Sequence, residues 1–270
     1  MVPAVVVALL WLLFGGTHMG LGIESIRSRL VRRFGELGFV ALFYVVASVS
    51  FAALVAYYAA HRFDGASGLA LANMLVLRWL LIAVAVLGVT LNGPALAEYA
   101  RLPTALFAQP IGSPRGVERI TRHPFFAGAA LLGLAHALLA TRLTGTVFFG
   151  GLVLFSTFGA WHQDRKLLAR RGAAYAGYLA STSAVPFAAI VSGRQRLVWH
   201  ELPIGPLALG LGVALALRYW HDALFAAGGA WIIAVVVGGG SLAGLSAWRR
   251  SRRLAASALV ATPAVARDPA

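Results

Sequence analysis

The chain has 270 residues, of which 60% are hydrophobic and 12% charged, with a net charge of +14 and no cysteine. Soluble domains run at about 45–50% apolar and about 25% charged, so a water-soluble fold is excluded, and so is simple disorder. The missing cysteines exclude disulfides, thiolate metal sites and cysteine nucleophiles. What remains is an all-α, polytopic membrane protein whose polar residues need individual explanations.

Apolar runs near twenty residues fall, in chain order, at 3–23, 37–60, 70–92, 124–141, 144–162, 204–220 and 224–247, predicting about seven transmembrane helices. The first has no basic leader and continues into Gly15-Gly16-Thr17-His18, so it reads as a retained helix. After it come Arg27, Arg29, Arg32 and Arg33. Arg101, Arg115, Arg119 and Arg122 follow the third run, the first three inside the Pro-rich segment 94–121, which is expected to lie in the cytoplasmic interface. Arg165, Lys166, Arg170, Arg171, Arg194 and Arg196 follow the fifth, with 164–178 reading as an interfacial amphipathic helix. Arg249, Arg250, Arg252, Arg253 and Arg267 follow the seventh. Only Arg62, Arg78, Arg142 and Arg218 fall elsewhere. This alternation is topogenic and implies contact with anionic lipid, not nucleic acid. It places the N-terminus outside and the C-terminus in the cytoplasm, in a bacterial-type inner membrane. Residues 1–247 form one transmembrane domain, and 248–270 a basic, disordered cytoplasmic tail.

Of seven histidines, His61, His200, His221 and His162 read as interfacial. His123 stands before Pro124, the arrangement of a helix N-terminus with proline in its first turn. His18 and His136 lie within apolar runs with no acid nearby in sequence. Gly15 and Gly133 precede them by three residues, clearing the same helix face for a flat macrocycle to approach. At 1.5 Å per residue, His136 is about 20 Å from His123 and His18 about 14 Å from Arg27, a depth match that lets the two rings face one another. Two neutral imidazoles then suit the axial positions of a haem iron, whereas zinc usually wants further ligands. The alternative is that both hydrogen-bond across packed helices. Arg78, inside the third run, either snorkels or holds an anionic group such as a propionate. Tyr44, Ser48 and Ser50 line a cavity or pack between helices, and Asn73 and Asn92 flank the third run as helix-end residues.

The stretch 118–196 carries a composite pattern. It contains Ile120-Thr121-Arg122-His123-Pro124, Gly128, Leu134-Ala135-His136, Gly159-Ala160-Trp161 and Asp164-Arg165-Lys166-Leu167. It ends with Thr182-Ser183, Pro186-Phe187-Ala188-Ala189-Ile190 and Gly193-Arg194-Gln195. This resembles the NnrU family of membrane proteins, nearest its 15-cis-zeta-carotene isomerase branch. The resemblance implies haem b held by two histidines, with His136 matching one ligand and His18 the other, and both catalytic. It implies redox-dependent cis–trans isomerisation of a carotenoid precursor. The partners would be an apolar polyene arriving from the bilayer, membrane lipids and an electron donor. Other branches imply a haem protein of nitrogen-oxide metabolism or electron transfer. Residues 122–128 also resemble the RHPxYxG box of isoprenylcysteine-type membrane methyltransferases, but Gln163-Asp164 stands where that family has adjacent glutamates. On the haem reading, Arg122 and His123 meet the propionates.

Overall fold

The computed structural model describes residues 1–105 and 110–261. Ten α-helices follow one another as α1 (Val2–Gly20), α2 (Glu24–His61), α3 (Leu75–Ala97), α4 (Val117–Ile120) and α5 (Pro124–Leu139), then α6 (Leu143–Arg171), α7 (Ala173–Ser181), α8 (Ala188–Val191), α9 (Ile204–Tyr219) and α10 (Ala230–Ala261). No strand occurs among the described residues, only an isolated bridge between Ser67 and Arg142.

Five of these helices, α1, α2, α3, α6 and α10, are long and apolar enough to cross a membrane. The expected runs at 124–141 and 204–220 become α5 and α9, apolar helices of 16 residues each. That is about 24 Å of helix, short of a hydrocarbon core about 30 Å thick.

Three boundaries differ from expectation. Residues 24–36, read as a basic loop, begin α2 instead. The helix continues through a break at Gly35, whose φ of 74° suits a residue without Cβ. The interfacial helix expected at 164–178 is divided at Gly172, φ 54°, so α6 ends there and α7 turns away. The tail expected to be disordered after 247 continues α10 to Ala261. Its Leu254-Ala255-Ala256 are strong helix formers. The rest of that tail lies outside the described residues.

Neighbouring helices follow the order α2, α1, α6, α5, α3, α9, and α10 returns against α2 and the end of α3. Small residues set this order. In lipid there is no hydrophobic drive between helices, so they associate where backbones can come close. A Cβ at Gly88 of α3 would stand 2.6 Å from the Gly128 carbonyl of α5. One at Gly210 of α9 would stand 2.5 Å from the Thr90 carbonyl of α3. One at Gly133 of α5 would meet the Phe149 carbonyl of α6 at 2.9 Å, and Gly151 of α6 lies under the Trp11 indole of α1. Trp11 also donates to the Phe148 carbonyl at 2.8 Å. Val7, Phe14, Leu54, Val55, Tyr58 and Phe148 form the core between α1, α2 and α6. Outside, Leu12, Val76, Leu209 and Val235 remain exposed, which suits a lipid-facing surface.

Gly88→Ala is expected to destabilise by about 1–3 kcal/mol, because a methyl group there overpacks the α3–α5 contact. Gly238→Ala, with nothing within 4 Å of its would-be Cβ, is expected to be neutral or mildly stabilising. Denaturant unfolding of the two detergent-solubilised variants checks the contrast.

Candidate functional site

His18 occupies the last turn of α1, inside a cage of aromatic rings. Its ring centroid is 5.4 Å from Phe14, 4.8 Å from Phe43 of α2 and 5.4 Å from Phe155 of α6. Nδ1 is buried and has no hydrogen-bond partner. Gly15 does clear this face, but Phe155 fills it, 3.5 Å from where a Cβ would be. Close by, the buried and unpartnered Nε2 of His162 approaches Gly22.

His136 lies in the last turn of α5. Its Nδ1 is 2.9 Å from the Leu132 carbonyl one turn back, the bond of an Nδ1–H tautomer, which leaves a lone pair on Nε2. Its ring meets Phe149 of α6 at 4.6 Å and stacks on His221 at 6.1 Å. The space cleared by Gly133 is taken by the Phe149 backbone and by Val153. Both glycines therefore serve helix packing.

The two rings do not meet. Phe148, Gly151, Phe155 and His162 of α6 face α1. Thr146, Val153 and Asp164 of the same helix face α5. At 3.6 residues per turn these sets point to roughly opposite sides of α6. His18 contacts Phe155 and His136 contacts Phe149, so about 9 Å along the helix axis also separates them. The expected depth match assumed an unbroken helix from His18 to Arg27, whereas α1 ends at Gly20 and α2 starts at Glu24. Each imidazole suits haem iron in donor chemistry: neither forms an ion pair with an acid among the described residues, and both stand among aromatic rings. As a pair they do not fit one iron in this arrangement, because α6 stands between them. No group of three or more metal-ligating His, Cys, Asp or Glu side chains occurs among the described residues.

Arg122 and His123 converge on a different partner, Asp164 of α6. Arg122 grips that carboxylate with Nε at 3.0 Å and Nη2 at 2.7 Å, the forked geometry that suits a guanidinium. His123 Nε2 lies 2.8 Å from Oδ1, and the Tyr175 hydroxyl of α7 donates to the same oxygen at 2.7 Å. His123 stands at the N-cap of α5 with Pro124 following it, as expected, yet its side chain does not cap the helix. Backbone bonds add to the clamp. Arg122 N donates to the Ser183 carbonyl, Phe187 N to the Ile120 carbonyl, and Thr121 Oγ1 to the Ala184 carbonyl. Beside it, the Tyr178 hydroxyl donates to the buried Glu118 at 2.8 Å. Burial raises the Glu118 pKa against the lowering effect of that bond. Burial, and then the Asp164 carboxylate, push the Tyr175 hydroxyl above its ordinary value. The motif expected to meet propionates, or a nucleoside cofactor, is thus turned inward on Asp164. Sequence reading placed Asp164 in the composite pattern, at the start of an interfacial helix, and as a departure from another family's motif, but gave it no partner. The available signal was that it is one of only nine acids in a chain of 23 bases.

Arg78 lies at the start of the candidate span α3 rather than within its interior. It sits in the first turn of α3, exposed, with its guanidinium 5.7 Å from the Trp79 ring of the same helix. Tyr44 bonds the Gly240 carbonyl of α10 and lines an apolar groove between α2 and α10, whereas Ser50 bonds back to its own helix.

The structure defines an all-helical membrane protein with a polar clamp at its basic end and two separate buried imidazoles. The chain belongs to the NnrU protein family, whose model matches residues 6–229. It is 30% identical over 193 residues to a chloroplastic 15-cis-zeta-carotene isomerase of Zea mays, covering 72% of this chain and 52% of that one. It is 30% identical over 206 residues to the corresponding protein of Arabidopsis thaliana, covering 72% and 53%. The chain therefore spans about half the length of the curated relatives it matches. Both are chloroplastic by name, so they lend no support to the expected bacterial-type membrane. No solved structure matches.

Asp164→Asn is expected to destabilise by about 3 kcal/mol, since it leaves Arg122 and His123 facing a neutral amide. Tyr175→Phe removes one hydrogen bond to a carboxylate and is expected to cost about 1–2 kcal/mol. Unfolding midpoints of both variants give the order.

Arg119 clamps Glu201 with Nε at 2.7 Å and Nη2 at 2.9 Å, tying α4 to the turn before α9. This bond holds Glu201 at about 2, below its ordinary 4.5. A lowered carboxylate pKa means the tie is fully present above pH 4.5 and is lost as the pH falls toward about 2. Hydrogen exchange of residues 199–203 is expected to accelerate across that window, and Glu201→Gln to remove the pH dependence.

Proposed function

We propose that this protein is a membrane cis–trans isomerase acting on a cis double bond of a carotenoid-like polyene. The observation that carries the reading is its 30% identity, across 72% of the chain, to two proteins named as isomerases of 15-cis-zeta-carotene. The chemistry of the buried sites supports it. A carbon–carbon double bond turns only when its π character is weakened. The aromatic cage at His18 holds a buried ring nitrogen with no hydrogen-bond partner, which suits an apolar guest better than acid–base catalysis does. The lipid-facing surface is where such a substrate would arrive, and it needs no aqueous mouth.

Haem b belongs to this proposal through the donor chemistry of the imidazoles of His18 and His136. When bound it would supply electron exchange with the polyene, drawing on an electron donor. No step is derived through it, because α6 holds the two histidines apart. The same proposal takes α5 and α9 as crossing the membrane, making seven spans. The basic end then faces the cytoplasm and the N-terminus lies outside, as the arginine distribution favours.

The test is incubation of oxidised and reduced protein with 15-cis-zeta-carotene, followed by chromatographic resolution of isomers. Conversion is expected, with His18→Ala lowering it by about tenfold or more. Absence of conversion in both redox states overturns the isomerase reading and favours an electron-transfer haem protein. An absorption spectrum of His18→Ala and His136→Ala separately reads haem retention: loss of the Soret band is expected in both if both ligate.

A further inference from the structure

At the basic end, three arginines from three separate parts of the chain line one cavity of about 250 Å³. Arg101 follows α3, Arg115 precedes α4, and Arg250 projects from α10. We infer that this cavity is a binding site for a phosphate-class anion.

Four observations carry the inference. First, charge: the lining holds three guanidiniums against two carboxylates, Glu98 and Glu118. Second, Glu118 is already occupied, accepting from the Tyr178 hydroxyl at 2.8 Å and from the Arg115 backbone amide at 3.4 Å. Third, among the described residues none of the three arginines forms an ion pair, although Arg119, Arg122 and Arg170 at the same end all do. Fourth, the Nε–H of Arg250 is buried without a hydrogen-bond partner. A charged side chain at a cavity wall with a donor left unpaired is unfavourable, and negative charge in the cavity would offset it.

The chemistry of the anion follows from the donors. Guanidinium forks match oxyanions that present several oxygens at once, which phosphate does from any direction. The cavity has room for about eight waters by liquid volume, more than a bare phosphate fills. It lies beside the C-terminal end of α3 and against α10, two helices long and apolar enough to cross a membrane. Anionic phospholipid headgroups and free phosphate share this chemistry, and the experiment separates them.

Native mass spectrometry reads retained adducts. The protein is released from nanodiscs of phosphatidylcholine with phosphatidylglycerol, and separately from lipid-free detergent containing inorganic phosphate. Retention of phosphatidylglycerol is expected, falling by roughly tenfold in Arg250→Gln and in the exposed-rim pair Arg101→Gln/Arg115→Gln. Retention of inorganic phosphate with the same loss in those variants assigns the site to free phosphate and equally supports it. The double variant Arg32→Gln/Arg33→Gln, at the same end but outside the cavity, is expected to retain as the wild type does. Both residues of the rim pair are exposed, so it keeps the test valid if Arg250→Gln does not fold. Equal retention in all variants, or an equal loss in the Arg32/Arg33 control, overturns the inference.

Discussion

Close backbone approach is the constraint on which this structure rests. Lipid tails are as apolar as the side chains they would replace, so helices in a membrane associate by packing and hydrogen bonding. Helix α6 is where that requirement concentrates. It receives Trp11 of α1 over Gly151 on one side and Gly133 of α5 against Val153 on the other. Once those contacts form, α1 and α5 are held on opposite sides of α6, and so are the histidines they carry. The glycines near the two histidines look like a cleared landing for a macrocycle, yet their neighbours are phenylalanine, valine and backbone.

The polar counterpart of that packing is Asp164. A carboxylate in a strongly basic chain, half-buried between three helices, needs several donors. Arg122, His123 and Tyr175 supply them, and the result fixes the start of α5 and the start of α7 to the inner part of α6. The same economy of acids recurs at Glu118, taken by Tyr178, and at Glu201, taken by Arg119. With so few carboxylates, several arginines at this end, among them Arg101, Arg115 and Arg250, form no ion pair among the described residues. Arginines facing a membrane interface in that state attract anionic groups.

Membership of the NnrU family and the kinship to carotene isomerases bear on both features. The matched region 6–229 includes α1, α5, α6 and the whole Asp164 clamp, but ends before α10. The clamp therefore lies inside the matched region, whereas Arg250, which lines the cavity at the basic end, lies beyond it.

Composition and the rhythm of apolar runs by themselves determined that this is a helical membrane protein with its basic residues gathered at alternate ends of the runs. They did so because burial in lipid demands long apolar helices whatever their partners. The RHP motif could be placed at a helix start, since proline in a first turn is a local preference. Which residues meet was decided only by tertiary structure. His18 and His136 have similar neighbours in sequence, and an estimate from helical rise let them face one another. The break at residues 21–23 and the position of α6 separate them, and neither is set by local periodicity. Asp164 and Arg122 lie 42 positions apart, so their pairing follows from how α5 packs against α6. Spacing along one chain fixes a face and a height on one helix. The packing of small residues against neighbouring helices determines what that face touches.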